Sequence, residues 1–390
     1  IKSVIWCAGT GQSGFNALGS ILCGDVNPSG RTIDTFVYDL TQTPTANNFG
    51  NFNYTNMDEF KANSFGADTI PAFVNYVEGI YVGYKFYETA AAEGLIDYDK
   101  TVVYPFGRGL SYTTFTQTLN SVTEADGTIT VDVTVTNTGS ASGKEVVEVY
   151  YNPPYTNGGI EKASANLIGF AKTSELAPGA SENVTVTFKA EDMASYDTYG
   201  KGCYVLEKGD YVISINADSH TVLDSKVYNV ASDIVYDASN KRESDVTYLS
   251  RADGFANYAE ATAAPADFEL PAQAKATFYN NSNWNPEDFN NADDVAPTTG
   301  AKNGLKLKDM VGVDYNDAQW DAFLDQLTVS DMDSLIALGG FQSVAVSSIG
   351  KVQAIDCDGP ASINNNFTGK GSIGFPAAVM IAATWNVDLA

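Results

Sequence analysis

The chain has 390 residues and a formal net charge of −26, with 22 Lys and Arg against 48 Asp and Glu. This excess of negative charge repels polyphosphates and anionic headgroups, so nucleic acid and anionic membrane surfaces are poor candidate partners. Hydrophobic residues make up 44% and charged residues 18%, a globular composition, and the length predicts two or three domains. The sequence has no apolar run of about 18 residues, so no membrane span is predicted.

The first hundred residues carry alternating strand and helix signals. An apolar run from Val4 to Cys7 predicts a strand, and Phe15, Leu18 and Leu22 recur at the spacing of one helix face. A second helical stripe is predicted over residues 76–87, although two glycines inside it lower the helix propensity. Such alternation is typical of an α/β domain.

From about Phe115 the hydrophobic period changes from 3.6 to 2, which marks a new domain. Apolar and polar residues alternate in four runs, at 129–135, 147–151, 184–188 and 211–215. Turn residues separate the runs, as in NTGSASG and LAPGAS. The pattern predicts an antiparallel β-sandwich of immunoglobulin-like layout over residues 115–231.

Residues 232–305 lose this periodicity and are rich in Ala, Asn, Asp and Pro. Irregular connections of this length are uncommon inside compact domains, so this one is expected to lie over neighbouring domains. Tyr248, Phe255 and Trp284 are its candidate anchors.

Helix signals return after residue 305. An apolar stripe runs from Trp320 to Leu327, and Thr328 and Asp331 then have capping-box spacing before a helix that ends at a Gly pair. Strand-like runs follow at 343–356 and again from Phe375. This alternation predicts the start of a (β/α)₈ barrel, which needs roughly 250 residues, of which about 85 lie in this chain.

The cysteines and the single histidine indicate no special chemistry. Cys7, Cys23, Cys203 and Cys357 form no CxxC or Cys/His pattern, so free buried thiols are expected and no metal site is predicted. His220 has no second His or Cys near it in sequence, which favours a strand-end or turn residue over a ligand or a base.

Several segments together resemble glycoside hydrolase family 3. They are GQSGFNALGSILCGDVNPSGR, YVEGIYVGYKFYET with YPFGRGLSYTTF, LIGFAKTSELAPG with KGDYVISINADS, and LTVSDMDSLIALGG with IDCDGP and FPAAVMIAATWN. The resemblance implies the C-terminal part of an α/β-sandwich domain at 1–114, a fibronectin type III-like domain at 115–231, a linker at 232–305 and the N-terminal part of a catalytic (β/α)₈ TIM-type barrel at 306–390.

In the commoner layout of that family the barrel comes first, whereas here it follows the fibronectin-like domain, an arrangement that resembles a permuted subset. Permutation costs little when domain termini lie at the surface. Two fused partial proteins are the alternative explanation. Both ends of the chain resemble cuts within a longer protein.

The resemblance implies a retaining mechanism, in which two carboxyl groups lie about 5 to 5.5 Å apart. The family's nucleophile would lie beyond Ala390 and its acid/base before Ile1, so no catalytic residue is assigned and this stretch alone is expected to be inactive. Neither a cofactor nor a metal is implied.

Asp358 is the one site residue that the resemblance carries over, because it matches the family's Asp-Gly-Pro after the first barrel strand. There it would accept hydrogen bonds from non-reacting sugar hydroxyls and fix the ring. The alternative is an ordinary Asp-Gly turn. Asp356, two residues earlier, is expected to be a buried network partner.

The family often continues this motif with an Arg that also reaches the sugar, but Ser362, Ile363 and Asn364 stand there, which puts that second contact in doubt. Asn364, Asn365 and Asn366 are either substitutes or loop residues. Glu78 and Glu88 are expected to face solvent or an interdomain ion pair, and the turn Phe106–Gly109 to pack domains together.

The expected function is hydrolysis of terminal β-linked glucosyl or xylosyl residues from an oligosaccharide or β-glucoside. The alternatives are a non-catalytic carbohydrate-binding or structural module and an adhesive fibronectin-type array. Many Asn and Thr and few Lys favour an extracellular or cell-surface location, while the oligomeric state is not indicated.

Overall fold

A computed structural model describes residues 4–48, 52–57, 62–64, 67–69, 71–236, 258–259, 269–276, 291–359, 361–365, 367 and 369–390. The chain divides into two compact units, each assembled from two stretches of sequence. The larger unit takes residues 16–282 and 379–390, and the smaller takes 1–15 and 283–378. None of the described helices has the length and apolar character needed to cross a bilayer.

The region before the sandwich is built from short elements. Its helices are α1 (Phe15–Cys23), α2 (Pro44–Asn48), α3 (Tyr84–Ala92) and α4 (Tyr98–Thr101). Its strands are β1 (Phe36–Val37), β2 (Phe52–Asn53), β3 (Ala62–Ser64), β4 (Ala67–Thr69), β5 (Ala72–Phe73) and β6 (Val102–Tyr104). They pair antiparallel as β1 with β6, β2 with β5 and β3 with β4. Helix α1 confirms the helix predicted from the spacing of its apolar residues.

Two predictions for this region are wrong. Residues 4–10 form no strand, and Val4 is 65% exposed, because no described sheet offers this run a partner. The second helix begins only at Tyr84, since Gly79 and Gly83 have positive φ angles of 58° and 57°, which a right-handed helix cannot include. Beyond Gly83, the helix buries one face against other apolar residues of the larger unit.

That face of α3 forms the small core of the region. Phe86, Tyr87 and Ala90 pack with other buried apolar residues of the larger unit, which are Val77, Tyr81, Val102 and Ala163. Ala163 lies in the loop between two sandwich strands, so this core joins the region to the sandwich.

The sandwich contains the longest strands of the described chain. They are β7 (Phe115–Ala125), β8 (Thr128–Asn137), β9 (Val146–Asn152), β10 (Asn166–Lys172), β11 (Ser181–Lys189), β14 (Gly209–Asn216) and β15 (Val222–Val230). One sheet has the order β11-β8-β7 and the other β10-β9-β14-β15, and every pair is antiparallel. All four alternating runs of the sequence lie in these strands, as predicted.

The alternation is what determines the sandwich core. Ile129, Val131, Val133 and Val135 are fully buried along β8, while the threonines and Asp132 between them face outward. The opposite sheet contributes Val147, Val149, Ile213 and Ile215 to the same cluster. Each fully buried side chain of this kind contributes about 1.5–3 kcal/mol of hydrophobic stabilisation.

A small third sheet completes the domain. It consists of β12 (Ser195–Tyr196), β13 (Tyr204–Leu206) and β16 (Ile234–Tyr236), in the order β12-β13-β16. Strand β16 belongs to the start of the predicted linker, most of which, with Tyr248, Phe255 and Trp284, lies outside the described residues.

The last part of the chain contains α5 (Gln319–Leu324), α6 (Val329–Ala337) and α7 (Ala378–Ala382), with β17 (Gln342–Ser343), β18 (Ala354–Ile355), β19 (Asn364–Asn365) and β20 (Lys370–Gly371). Phe323 and Leu327 of the predicted stripe are buried in the core of the smaller unit, with Met310, Val346 and Ile349. Thr328 and Asp331 form the predicted capping box of α6.

The expected barrel start is not confirmed. Strand β17 pairs antiparallel with β18, and β19 antiparallel with β20, whereas a (β/α)₈ barrel has parallel strands. A parallel strand needs a neighbour supplied by a later β/α unit. In the described residues the strand-like runs pair locally instead, as two antiparallel hairpins.

Candidate functional site

Asp358 lies in an exposed turn between β18 and β19. Its backbone N–H donates to the carbonyl of Asn364 at 2.8 Å, and the N–H of Asn364 donates to the carbonyl of Asp358 at 3.3 Å. This bridge closes the loop while leaving the carboxylate at the surface. An ionised carboxylate accepts hydrogen bonds only, so the position suits a ligand that presents hydroxyl donors.

Asn365 fixes the base of the same loop. It is 3% exposed, and its Nδ2 donates to the carbonyls of Asp356 at 2.6 Å and Phe341 at 3.2 Å, while its Oδ1 accepts from the N–H of Phe367. These three hydrogen bonds are all with the backbone. Asn365 is therefore a loop residue, one of the two roles that the sequence left open for the asparagine cluster.

An aromatic pair flanks this loop and was not identified from the sequence. Phe341 and Phe367 stack with ring centroids 4.5 Å apart, and Phe367 is 78% exposed. Phe341 has a φ of 58°, which is unusual for a bulky residue. No spacing or motif marks either ring, because they meet only through the fold. Rings beside a carboxylate can pack on the apolar faces of a sugar.

The other residues of this stretch take modest roles. Asp356 was expected to be buried, which is wrong: its side chain is exposed and its backbone N–H donates to the carbonyl of Phe341. The hydroxyl of Ser372 accepts from the N–H of Ile363 at 3.0 Å, which continues the hairpin where the family's Arg is missing. Pro360 and Asn366 lie outside the described residues.

Several strongly perturbed carboxyl groups lie elsewhere, in the larger unit. Burial raises the pKa of Glu148 well above its usual range, and it raises the pKa of Glu145 as well. Arg31 pairs with Glu145, lies 3.6 Å from Glu148, and also donates to the carbonyls of Gly107 and Ala217. The guanidinium is thus occupied by protein groups, which indicates a structural network rather than a catalytic pair.

Glu88 belongs to a second structural cluster. It is 7% exposed and accepts hydrogen bonds from Tyr98 at 2.6 Å and Ser219 at 2.8 Å, while His220 Nδ1 lies 2.8 Å from its other oxygen. Glu88 is therefore paired and does not face solvent, the two environments expected for it being solvent or an ion pair, and His220 lies in a turn as expected. Glu78 is half-buried, and desolvation raises its pKa.

The predicted interdomain turn behaves as expected. The N–H of Ser219 donates to the carbonyl of Phe106 at 2.8 Å, and Arg108 lies 3.6 Å from Asp218.

The four cysteines are free thiols, but only Cys203 is buried, so the expectation of burial is wrong for the other three. Cys7, Cys23 and Cys357 lie at the surface.

Comparison with known proteins places this fold. The family model of the glycosyl hydrolase family 3 C-terminal domain matches residues 1–84, and that of the fibronectin type III-like domain matches residues 145–219. These matches fall inside the first two predicted domains, whose boundaries stay predictions.

Two curated relatives align with almost the whole chain. Beta-glucosidase A of Butyrivibrio fibrisolvens is 30% identical over 428 residues, which cover 100% of this chain and 48% of that protein. A beta-glucosidase of Ruminococcus albus is 28% identical over 408 residues, which cover 97% of this chain and 37% of that protein. The chain thus spans less than half the length of these relatives.

The solved structure of a beta-glucosidase from Paenibacillus barengoltzii also matches, with a TM-score of 0.61 and 26% identity. The match covers 97% of this chain and 40% of that one. Sequence and structure therefore identify the same kind of relative.

Proposed function

Since this chain belongs to glycoside hydrolase family 3, we propose that its protein removes terminal β-linked glucosyl residues from oligosaccharides or glycosides. The observation that carries the proposal is the alignment of the entire chain with a beta-glucosidase at 30% identity. The likeness to the Paenibacillus enzyme over 97% of the chain supports it. Xylosyl residues, which differ from glucosyl residues by one hydroxymethyl group, are the second substrate class.

The reaction that we propose is hydrolysis with retention. One carboxylate attacks the anomeric carbon while a second carboxyl group protonates the leaving oxygen, and water then releases the sugar from the enzyme. The glycosidic bond breaks as the bond between the sugar and the enzyme forms, and water then breaks that second bond, so only nucleophiles and protons are exchanged. We assign neither carboxyl group to this chain, whose described carboxylates with the strongest pKa shifts are held in structural networks.

We also propose that residues 306–390 begin a catalytic (β/α)₈ barrel and that Asp358 follows its first strand. Barrel enzymes hold substrate at the C-terminal ends of their strands. The exposed carboxylate of Asp358, in a loop closed by Asn364 and braced by Asn365, supports this assignment.

At that position Asp358 would hold the sugar without reacting with it. A carboxylate accepts two charge-assisted hydrogen bonds from neighbouring hydroxyls, which fixes the ring relative to the attacking group. The phenyl rings of Phe341 and Phe367 lie on the same loop network and offer an apolar surface to the sugar.

The test uses the complete protein encoded by the reading frame that contains this chain. We expect it to hydrolyse p-nitrophenyl β-glucoside, with NMR showing β-glucose as the first product. Asp358→Ala should lower kcat/KM by roughly 30-fold or more, the loss of about 2 kcal/mol expected for charged hydrogen bonds.

Asp356→Ala is the matched control, because it removes another exposed carboxylate two residues away. Its kcat/KM should stay near that of the parent. An Asp358→Ala enzyme with unchanged kcat/KM would remove the role proposed for Asp358, and a complete protein that hydrolyses no glycoside would favour a non-catalytic module.

A further inference from the structure

A cleft of about 330 Å³ lies in the sandwich domain between the loop that joins β9 to β10 and the turn that joins β12 to β13. This volume is within the range of about 300–1,000 Å³ that small-molecule sites occupy. Its lining combines aromatic rings with carboxylates, namely Tyr196, Tyr199, Glu161, Asp197, Glu207 and Asp233. No residue proposed to act on substrate lies in it.

The turn from Asp197 to Cys203 forms one wall and is rigidly built. The backbone N–H of Asp197 donates to the carbonyl of Cys203, and Gly202 donates back to the carbonyl of Asp197, both at 2.9 Å. The carboxylate of Asp197 also accepts from the N–H groups of Gly200 and Lys201 at 2.8 Å. A Cβ at Gly200 would lie 2.3 Å from that carboxylate, so the turn requires glycine there.

Tyr199 is at the tip of this turn and is 80% exposed. Exposing an aromatic ring at the rim of a cleft forgoes the hydrophobic stabilisation that burial would give. The neighbouring Tyr196 is instead fixed, because its hydroxyl donates to the carbonyl of Gly202 and its ring packs edge-on against Tyr204. The turn therefore exposes the ring of Tyr199 to solvent, while the hydrogen bonds that hold the turn in place do not involve this ring.

On the opposite wall, buried side chains hydrogen-bond to the carboxylates or form ion pairs with them. The hydroxyl of Tyr81, which is fully buried, donates to Glu161 at 2.6 Å. Lys162 is 4% exposed, donates to the carbonyl of Pro154 at 2.6 Å and forms an ion pair with Glu207. An ionised carboxylate has about four lone-pair sites, and bonds of this kind fix the orientation of its oxygens.

The charge of the cleft limits the kinds of ligand that it can bind. Four carboxylates line it against one lysine, Lys201, which disfavours anions. Among the described residues no group of three or more His, Cys, Asp or Glu side chains is arranged to hold a metal ion. The carboxylates accept hydrogen bonds and the exposed ring of Tyr199 offers a flat apolar surface, which together suit a molecule with many hydroxyl donors and an apolar face.

We propose that this cleft binds a short neutral oligosaccharide, with one sugar ring stacked on Tyr199 and its hydroxyls bonded to the carboxylates of the two walls. The sandwich domain would thereby hold a sugar chain as well as link domains. The choice of a β-linked glucan as probe rests on the proposed function, whereas the site itself rests on the cleft.

The test titrates thio-linked cellotetraose, which a glycosidase does not cleave, into the chain and follows amide shifts by NMR. We expect shifts at residues 196–202, and Tyr199→Ala should weaken this binding about tenfold, equivalent to 1.4 kcal/mol. Tyr199→Phe should bind within about twofold of the parent, because it keeps the ring. A tetragalacturonate probe, which is anionic, should bind more weakly.

Tyr38→Ala is the matched control, since Tyr38 is also an exposed tyrosine, at 66%, and lies outside the cleft. Its affinity should equal that of the parent. No shift at 196–202, or equal affinity in the parent and Tyr199→Ala, overturns the proposal. Asp358→Ala separates the two hypotheses: it should lower kcat/KM in the complete protein by roughly 30-fold or more while leaving the shifts at this cleft unchanged.

Discussion

His220 stacks flat on Tyr98, with ring centroids 3.6 Å apart and planes 6° from parallel. The same imidazole is paired with Glu88, which lies 132 residues earlier in the sequence, and Tyr98 donates to that glutamate too. These three side chains join the turn between β14 and β15 to helices α3 and α4. Through these contacts a titratable side chain, His220, connects the sandwich to the region before it.

The pKa of His220 is raised above 6.5, chiefly by its hydrogen bond to Glu88, which outweighs desolvation. A raised pKa in the folded state means that the protonated imidazole stabilises the fold. This stabilisation is complete below about pH 6.5 and is lost as the pH rises through the folded-state pKa. Because His220 is partly exposed, we expect the effect to be below about 1 kcal/mol.

His220 is the chain's one histidine, so untagged protein gives a single imidazole signal that NMR can titrate. Glu88→Gln should lower this pKa toward 6.5 and flatten the fall in unfolding free energy above that pH. Asp210→Asn, which changes an exposed carboxylate elsewhere in the sandwich, is the control. An unchanged His220 pKa in Glu88→Gln would show that the pair does not set it.

Gly107→Ala should destabilise the protein by about 2–4 kcal/mol, because it combines a positive φ with overpacking. Gly107 has a φ of 83°, and a Cβ there would lie 2.2 Å from the buried carboxylate of Glu148. Gly127→Ala is the matched control, since Gly127 has a φ of 74° and open space around it.

Urea unfolding of both glycine variants separates the two costs. The control should lose about 1–2 kcal/mol from the backbone alone. Equal losses in the two variants would mean that Glu148 moves aside at little cost.

Trp385→Ala should cost about 3–5 kcal/mol, the usual range for removing a buried Trp. Trp385 is 4% exposed and packs against Phe106 at 5.3 Å and Phe170 at 5.0 Å. Trp385→Phe should cost much less, because it keeps a ring in the same place and removes an indole N–H that has no acceptor among the described residues. Thermal unfolding checks the order parent, Phe, Ala, and an Ala variant as stable as the Phe variant contradicts it.

Thr328→Ala should cost about 1 kcal/mol, the usual value of an N-cap. The Thr328 hydroxyl accepts from the N–H of Asp331 at 3.1 Å, and the Asp331 carboxylate accepts from Thr328 in return. Those bonds lower the pKa of Asp331, so the part of the cap that its carboxylate contributes is present at neutral pH and is lost as the pH falls through that pKa. Ser330→Ala, in the same helical turn, should leave the urea midpoint nearly unchanged, and a similar shift in both variants would argue against the cap.

The sandwich could be predicted from sequence because each of its strands carries its own evidence. Ile129 to Val135 alternate within β8 whatever partner the strand has, and the threonines between them define the outer face. The capping box of α6 was predictable for the same reason, since Thr328 and Asp331 are three residues apart. Local patterns of this kind survive into the fold unchanged.

What could not be predicted depends on partners that are distant in sequence. Phe341 and Phe367 meet across a loop, and β17 pairs antiparallel with β18 although the alternation of strand and helix signals predicted the start of a barrel. At residues 76–83 the apolar spacing was helical, but two glycines in the left-handed region overrode it. Asp358 was found through family resemblance, because an Asp-Gly pair alone predicts only a turn.

The discontinuity of the two compact units has a consequence for how the chain acquires its structure. Lys172 donates to the carbonyls of Ser29 and Thr384, so the larger unit brings together segments that lie far apart in the sequence. Contacts over such sequence separations close only after a large loss of chain entropy, which slows folding. The hydrogen bond from Lys172 to Thr384 therefore forms only after residues 379–390 have been synthesised, and the earlier segments of the larger unit are exposed to chaperones and proteases until then.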